Sequence, residues 1–548
     1  MKKMLTVLLS LLITAAMLSA CGGKTGGDAS GGGGSAGEKV INYANGAQPE
    51  AMEPIGSNYL KYSTIKFNIY SGLTRFNKDG IAELAYADKV ETSEDGLTWT
   101  FHIREDAKWS DGKELDAKQW EESIQYHLLP ENKARSVSLY YYIKNAKPFN
   151  TGKCEWQDVG CKADDNNNLI FTLENPCPYF MDLCTVFVPY RIDIMKSNPN
   201  WSKSADTYVT NGAFRVVDIK DQTGFYTEKN PYYYDAANVK VDKLNFLWID
   251  DEAVEASSYK NGEINVSDSL DKGSEAEYQG TDEYHVSPRI GVKYLTVHTG
   301  HISDVRIRQA LSYAIDRESL KKVLSTTADP LNGFVPHGIH WGEDQWRDVA
   351  DKKNKAEGIE LTGYDPDKAK QLLADAGYPN GQGLPTYKYI CYNTDQERAQ
   401  ALQQMWKQVG ITIEIVPYEK SSYWDVFDTD DWDIGDDGWT GDFDDPNTNL
   451  FLWEHYREVK EDGSPKDARW VDDHAMKYDE LLQSTYKETD YETRMETFRK
   501  AEQLLCEQLP AIPVFGYNDS MLCKPEVKGI LKSYLGHAIF IYADVETK

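Results

Sequence analysis

The chain is poor in long apolar runs: among its 548 residues, none of 18 or more follows the first twenty, which excludes a polytopic membrane protein. Basic residues are also scarce, 59 Lys and Arg against 88 Asp and Glu, a net charge of −29. A phosphate backbone selects cationic patches, so nucleic acid is not an expected partner. No cysteines stand in Cys-x-x-Cys spacing, which argues against a zinc cluster. Catalytic signatures are missing too: there is no Gly-x-Ser-x-Gly elbow, no His-Glu-x-x-His and no phosphate loop. No catalytic role, metal or cofactor is therefore expected. What it has in quantity is length, enough for about three or four units of roughly 150 residues. It is also rich in aromatics, with 35 Tyr and 14 Trp, whose rigid rings and polar tips suit ligand-contacting surfaces.

The first residues carry an address. Lys2 and Lys3 precede an apolar segment from Met4 to Met17 that is too short to span a bilayer comfortably. Leu18-Ser19-Ala20-Cys21 then resembles the lipobox of bacterial lipoproteins. That resemblance implies a signal peptide over 1–20 and acylation of Cys21. From Gly22 to Gly37 the sequence is nearly all Gly, Ser and Ala, a flexible tether that cannot bury a core. Seven cysteines remain, at 154, 161, 177, 184, 391, 506 and 523. Cys154 with Cys161 and Cys177 with Cys184 lie close enough to close small loops, but an odd count leaves at least one thiol free.

Periodicity predicts an α/β chain. Leu97-Thr98-Trp99-Thr100-Phe101-His102-Ile103-Arg104 alternates apolar with polar as a strand does. Asp365-Pro366 reads as an N-cap and first-turn Pro, followed by an apolar stripe Ala369, Leu372, Leu373, Ala376 and a stop at Gly377. Thr394 with Glu397, and Thr489 with Glu492, read as capping boxes. The first opens a helix facing inward through Leu402, Met405, Trp406 and Val409, and the second one carrying Met495, Phe498, Leu504 and Leu505. Ile411, Ile413 and Ile415 alternate as a strand between them. Strands and helices interleave, which points to mixed sheets.

Several segments together carry a family resemblance. Glu83-Leu84-Ala85 and the run Leu97 to Gly112, Asn211-Gly212-Ala213-Phe214 with Lys229-Asn230-Pro231-Tyr232-Tyr233, Val305 to Arg317, and Trp439-Thr440-Gly441-Asp442-Phe443-Asp444-Asp445-Pro446 follow one another in order. The series resembles the oligopeptide and dipeptide solute-binding proteins of ABC importers, extracellular solute-binding family 5. That resemblance implies a bilobed, periplasmic-binding-protein-like (Venus flytrap) α/β fold with mixed sheets and an additional third domain. Lobe I is expected over 38–78, 205–290 and 513–548, the extra domain over 79–204, and the other lobe over 291–512, with the crossings between lobes as a hinge.

The resemblance also assigns a site. Asp428 to Asp445 holds nine Asp in eighteen residues, but no EF-hand frame fits it. In the resembled family the Asp three places after the Trp binds the ligand's α-amino group, here Asp442 after Trp439, and Trp439 is a candidate wall of the same pocket. Tyr141 and Tyr142, in the run Tyr140-Tyr141-Tyr142, and Tyr294 are further candidates. Expected partners are a short peptide, ABC permease subunits and, through lipid on Cys21, the outer face of the bacterial cytoplasmic membrane, with the receptor a monomer. An oligosaccharide receptor of the same family is the alternative ligand class. A nickel-chelate or haem binder would draw on His298 with His301 or His337 with His340, though paired His without a Cys or carboxylate partner is more often structural. A secreted hydrolase using paired carboxylates is the alternative from outside binding proteins.

Overall fold

A computed structural model describes residues 37–56, 60–268, 270–429, 431–455, 470 and 472–546. The signal peptide expected over 1–20, the acylated Cys21 and the tether up to residue 36 lie outside the described residues. Among those described, no helix is long and apolar enough to cross a membrane.

Two long antiparallel strands, Tyr284–Val297 and Ala511–Cys523, form the spine of an eleven-stranded mixed sheet. Outward from Ala511–Cys523 come Val266–Ser267, Val40–Ala44, Lys243–Leu247, Gly224–Lys229 and Phe214–Lys220, and the short strand Asp329–Pro330 also pairs with it. Outward from Tyr284–Val297 come Ile434–Thr440, Tyr387–Tyr392 and Ile413–Tyr418. The two wings use opposite ends of the spine. Val266 and Ser267 pair with Cys523 and Leu522, whereas Ile434–Thr440 pairs with residues 291–297. Between these ends the ladder loses register, jumping from Pro288 opposite Asn518 to Val292 opposite Gly516. Pro has no N–H to give the ladder, and the irregularity that follows frees Arg289 and Ile290 for other contacts.

Each wing buries its own apolar faces. Helix Gln396–Gln408 presents Ala399, Leu402 and Trp406, all fully buried, at the 3–4 spacing of one helical face. They pack with Leu311, Tyr389 and Val514 in one core, and the Trp406 indole donates to the Leu311 carbonyl at 2.9 Å. A separate four-stranded sheet, Ala87–Thr92, Thr98–Ile103, Asn168–Thr172 and Cys161–Ala163, is covered by helix Ala117–Leu128. Phe101 and Ile103 of its second strand are fully buried, as the alternation predicts.

Local signals fared unevenly. Asp365 caps helix Pro366–Asp375 by accepting from the Asp367 and Lys368 amides, and Gly377 follows with φ +96°. Neither Thr capping box forms. Helix Gln396–Gln408 has Asp395 at its N-cap without a side-chain bond, and helix Tyr491–Gln508 is capped by Asp490, whose carboxylate accepts from Thr493 N at 2.9 Å. In both cases an Asp one residue later stands at the N-cap, and only Asp490 uses its carboxylate to cap. All seven described cysteines are unpaired, so neither small loop is closed by a disulfide.

Candidate functional site

The stretch rich in Asp runs off the end of strand Ile434–Thr440 into a loop fixed at nearly every residue. Gly441 N donates to the Ile290 carbonyl at 2.5 Å, across the break in the spine. A Cβ on Gly441 would meet the Thr448 methyl at 2.7 Å and the Ile290 side chain at 3.0 Å, so only glycine lets the two segments approach this closely. Asp442 N donates to Thr448 Oγ1 at 2.8 Å, and the Phe443 ring stacks on Tyr179 at 4.1 Å. Asp445 forms a buried bidentate pair with Arg494, Oδ2 to Nη1 at 2.5 Å and Oδ1 to Nη2 at 3.0 Å.

Most acidic groups of this stretch have a side-chain partner. Asp431 pairs with Lys388 at 2.8 Å, Asp433 with His301 at 3.1 Å and Asp444 with His340 at 2.5 Å. Asp436 is completely buried against Lys293 and Arg398, and Tyr389 donates to it. Burial alone would push its carboxyl up, but the two cations outweigh this and hold it below the usual range. Asp442 differs: no described residue donates a side-chain hydrogen bond or forms an ion pair with its carboxylate. More than a third of its surface is open, and it lines a concave space. Desolvation by the surrounding walls pushes its carboxyl up to about 6.

That space is a cavity of about 310 Å³, at the low end of the range for ligand pockets. Thr440, Gly441 and Asp442 form one wall. The rest of the lining includes Lys66 and Phe67 from helix Leu60–Ile69, His127 and Tyr140, Arg289 from the break in the spine, and His537. Segments far apart in the chain thus converge beside the irregular stretch of the spine. Lys66 pairs with no carboxylate among the described residues, and burial lowers its ammonium to about 8. Burial, with the Lys66 charge adding to it, takes His127 and His537 down to about 3, so both are neutral at pH 7.

Of the residues proposed from sequence, Asp442 lines the cavity and Tyr142 stands nearby. Tyr142 is half-buried and meets Phe443 and Tyr179 edge-on at 6.2 and 5.6 Å, and its hydroxyl is pushed up chiefly by burial. Trp439 sits three residues before Asp442 on its strand, half-buried, with its ring edge-on to Phe451 at 5.7 Å. Tyr141 donates to Asn150 Oδ1 at 2.7 Å. Tyr294 is buried against Phe334 and Trp453 and reaches Asp437 Oδ2 at 3.2 Å. None of Trp439, Tyr141, Tyr142 and Tyr294 is in the cavity lining, whereas Tyr140 of the same Tyr run is. His298 and His301 stack on each other at 3.9 Å. No group of three or more potential metal ligands occurs among the described residues.

Sequence reasoning missed Lys66, Arg289, His127 and His537. For Lys66 a signal existed. It lies within the stripe Tyr62, Ile65, Ile69, all fully buried, where a cation is out of place on a core-facing helix. The others come from segments that only the tertiary fold unites.

The loop also carries a pH-sensitive contact. Asp444 N donates to Asp182 Oδ2 at 3.1 Å. Burial, then the charge of Asp444, pushes the Asp182 carboxyl up to about 7. A carboxyl raised in the folded state contributes stability that is present below its ordinary value and is lost as pH rises through about 7. His340, raised by its bond to Asp444, acts in the same direction. The Tm of the wild type should therefore fall from pH 5 to pH 8, and Asp182→Asn should remove a few degrees of that fall. Thermal melts at pH 5, 6.5 and 8 check this; an unaltered dependence in the Asn variant would reject it.

Compared with known proteins, residues 82–461 match the family model described as bacterial extracellular solute-binding proteins, family 5 Middle. The chain is 32% identical to the oligopeptide-binding protein OppA of Bacillus subtilis (strain 168), over 98% of this chain and 99% of that one. Among solved structures it resembles the periplasmic murein tripeptide binding protein MppA in its unliganded open form, at 24% identity, covering 93% of this chain and 98% of that one, with a TM-score of 0.77. It also resembles the substrate-binding domain of an oligopeptide ABC transporter from Bacillus anthracis str. Ames, at 26% identity over 93% and 99%, with a TM-score of 0.71.

Proposed function

Since the chain belongs to the bacterial extracellular solute-binding proteins of family 5, we propose that it captures short peptides in the cleft beside Asp442 and delivers them to the permease of an ABC importer. Its fold is the bilobed Venus-flytrap arrangement with mixed sheets and a third domain, and it is an extracytoplasmic binding protein, not an enzyme. The observation that carries the peptide reading is Asp442. In an Asp-rich loop where Asp431, Asp433, Asp436, Asp444 and Asp445 meet cations or histidines, this one lines a cavity with no such partner among the described residues. A free α-ammonium supplies the missing charge and hydrogen bonds.

Lobe I is assigned to 38–78, 205–290 and 513–548, the third domain to 79–204 and the other lobe to 291–512. The wing of strands from 40–44, 214–267 and the far end of 511–523 supports the first, and the separate four-stranded sheet supports the second. Closure then needs only a ligand that touches both lobes and so binds the closed form more tightly. The break between Pro288 and Val292 is a natural place for the bend. Trp439 and Tyr142 are assigned to the pocket surround, with Tyr141 and Tyr294 as more distant candidates. Two acyl chains on Cys21, with the tether after it, would hold a monomeric receptor at the outer face of the bacterial cytoplasmic membrane, since one chain binds only marginally. Calorimetry with a mixed tripeptide-to-pentapeptide library and with a panel of cello- and xylo-oligosaccharides tests the ligand class. Heat is expected from the peptides; heat from the sugars alone would sink the reading.

A further inference from the structure

The loop that carries Asp442 is gripped by a segment from a distant part of the chain. Its next residue, Phe443, is 3% exposed, and its two aromatic partners both come from the stretch assigned to the third domain. The Phe443 ring lies parallel to that of Tyr179, with 2° between the planes and 4.1 Å between the centres. Tyr142 meets both rings edge-on, Phe443 at 6.2 Å and Tyr179 at 5.6 Å. One residue further on, Asp444 N donates to Asp182 Oδ2 at 3.1 Å, a second contact with the same stretch.

Tyr179 offers its face from a packed body. Its carbonyl accepts from the Asp182 and Leu183 amides at 3.0 and 3.3 Å, at the start of helix Phe180–Leu183. Phe180 and Leu183 are both buried, and the Phe180 ring meets Trp99 at 5.4 Å and Phe171 at 5.2 Å, on two strands of the four-stranded sheet. Asp442 and Phe443 in turn share one planar peptide unit. The first lines the cavity and the second is buried in the stack, so a movement that freed the ring would carry the carboxylate with it. A binding group works only when held to within about 0.5 Å by neighbours that are themselves locked by packing.

We infer that Tyr179 is a positioning residue: by stacking on Phe443 it aims the Asp442 carboxylate into the cavity, which gives the third domain a part in recognising the ligand's amine. The inference rests on the peptide reading of Asp442 and adds a support to it that is distinct from the tie between Asp445 and Arg494.

Calorimetry on the full chain with Ala-Ala-Ala and its N-acetylated form, alongside thermal melts, tests it. Tyr179→Met fills much of the space with a flexible side chain but removes the stack. It should bind the free amine roughly 5- to 20-fold more weakly, less than loss of the carboxylate would cost, because a displaced charge keeps part of its attraction. The acetylated form should stay within about twofold of wild type. Tyr179→Phe keeps the ring, giving up a hydroxyl that Asn447 Nδ2 reaches only at 3.5 Å, and should retain wild-type affinity for both. Phe443→Leu removes the stack from the other side and takes over the test if Tyr179→Met does not fold. The two substitutions together should cost little more than either alone, since they break one contact. A purely structural role would lower the Tm and weaken both ligands alike. Unchanged affinity for the free amine, equal losses for the two ligands, or the same loss in Tyr179→Phe overturns the inference. The peptide reading then still stands, because the wild type prefers the free amine. A wild type that binds neither ligand, or does not distinguish them, overturns both.

Discussion

Asp442→Asn is expected to weaken binding of a free-amine peptide by roughly 10- to 100-fold and to leave binding of the N-acetylated peptide nearly unchanged. The magnitude follows from a hydrogen bond between charged groups, about 1.5–3 kcal/mol net, at about 1.4 kcal/mol per factor of ten. The variant is isosteric, and the contacts that fix the loop here, Gly441 N to Ile290 O and Asp442 N to Thr448 Oγ1, are made by the backbone and survive it. The pH dependence has a definite sign. In the free protein the carboxyl titrates at about 6; paired with an ammonium it titrates lower, so binding releases a proton below about pH 6. Wild-type affinity for the free amine should rise from pH 5 to 7 and then level, and the Asn variant should be flat over that range. The same shift bears on stability. A carboxyl raised from 3.8 to about 6 on folding costs the unliganded protein stability as pH rises through that window. The Asn variant without ligand should therefore melt slightly higher at pH 7, as expected where a binding group is held at the expense of stability. Equal losses for the free and acetylated peptides would show that this side chain does not meet the amine.

The contrast between Asp442 and its neighbours also marks how far the sequence could be read. Alternation and stripes identified elements with a single buried face, such as Thr98–Ile103 with Phe101 and Ile103 inside, and Pro366–Asp375 closed by Asp365 and Gly377. Helix starts were less legible where Thr and Asp are adjacent, because either can cap and the difference is a fraction of a kcal/mol: at 489–490 the Asp caps, and at 394–395 neither side chain does, the segment Asn393–Asp395 forming a short 3-10 turn ahead of the helix. Within the acidic run, nothing local distinguishes Asp442 from Asp436 or Asp445. Asp436 is neutralised by Lys293 and Arg398, and Asp445 by Arg494, from 143, 38 and 49 positions away respectively. Only the motif singled out Asp442. The cavity wall was illegible for the same reason: helix Leu60–Ile69, the loop at 135, the spine break at 289 and His537 meet because wings built from separate stretches of sequence share two strands. The exception is Lys66, legible as a cation within an apolar stripe.

Arg494→Met should produce the largest loss of stability, about 3–5 kcal/mol, because it strands the Asp445 charge in the interior. The pair is 2% and 3% exposed. Both carboxylate oxygens are used, the Arg494 Nε donates to the Thr485 carbonyl at 3.1 Å, and the guanidinium lies 4.6 Å from the centre of the Phe498 ring. After the substitution, Asp445 keeps only the Asn447 amide at 3.0 Å, too little to hold a desolvated charge. Removing both charges should be far milder: Arg494→Met with Asp445→Leu fills similar volume and leaves no orphan, so most of the lost stability should return. Function should not return with it. Asp445 stands three residues beyond Asp442 and ties the loop to helix Tyr491–Gln508. Without that tie the carboxylate facing the cleft is no longer held in place, and the double variant should bind free-amine peptides more weakly than wild type despite a near-normal Tm. Thermal melts with calorimetry on the two variants separate the roles. A loss under about 1 kcal/mol for Arg494→Met would put the pair in the class of solvated surface bridges, and full affinity in the double variant would show that the loop needs no such anchor.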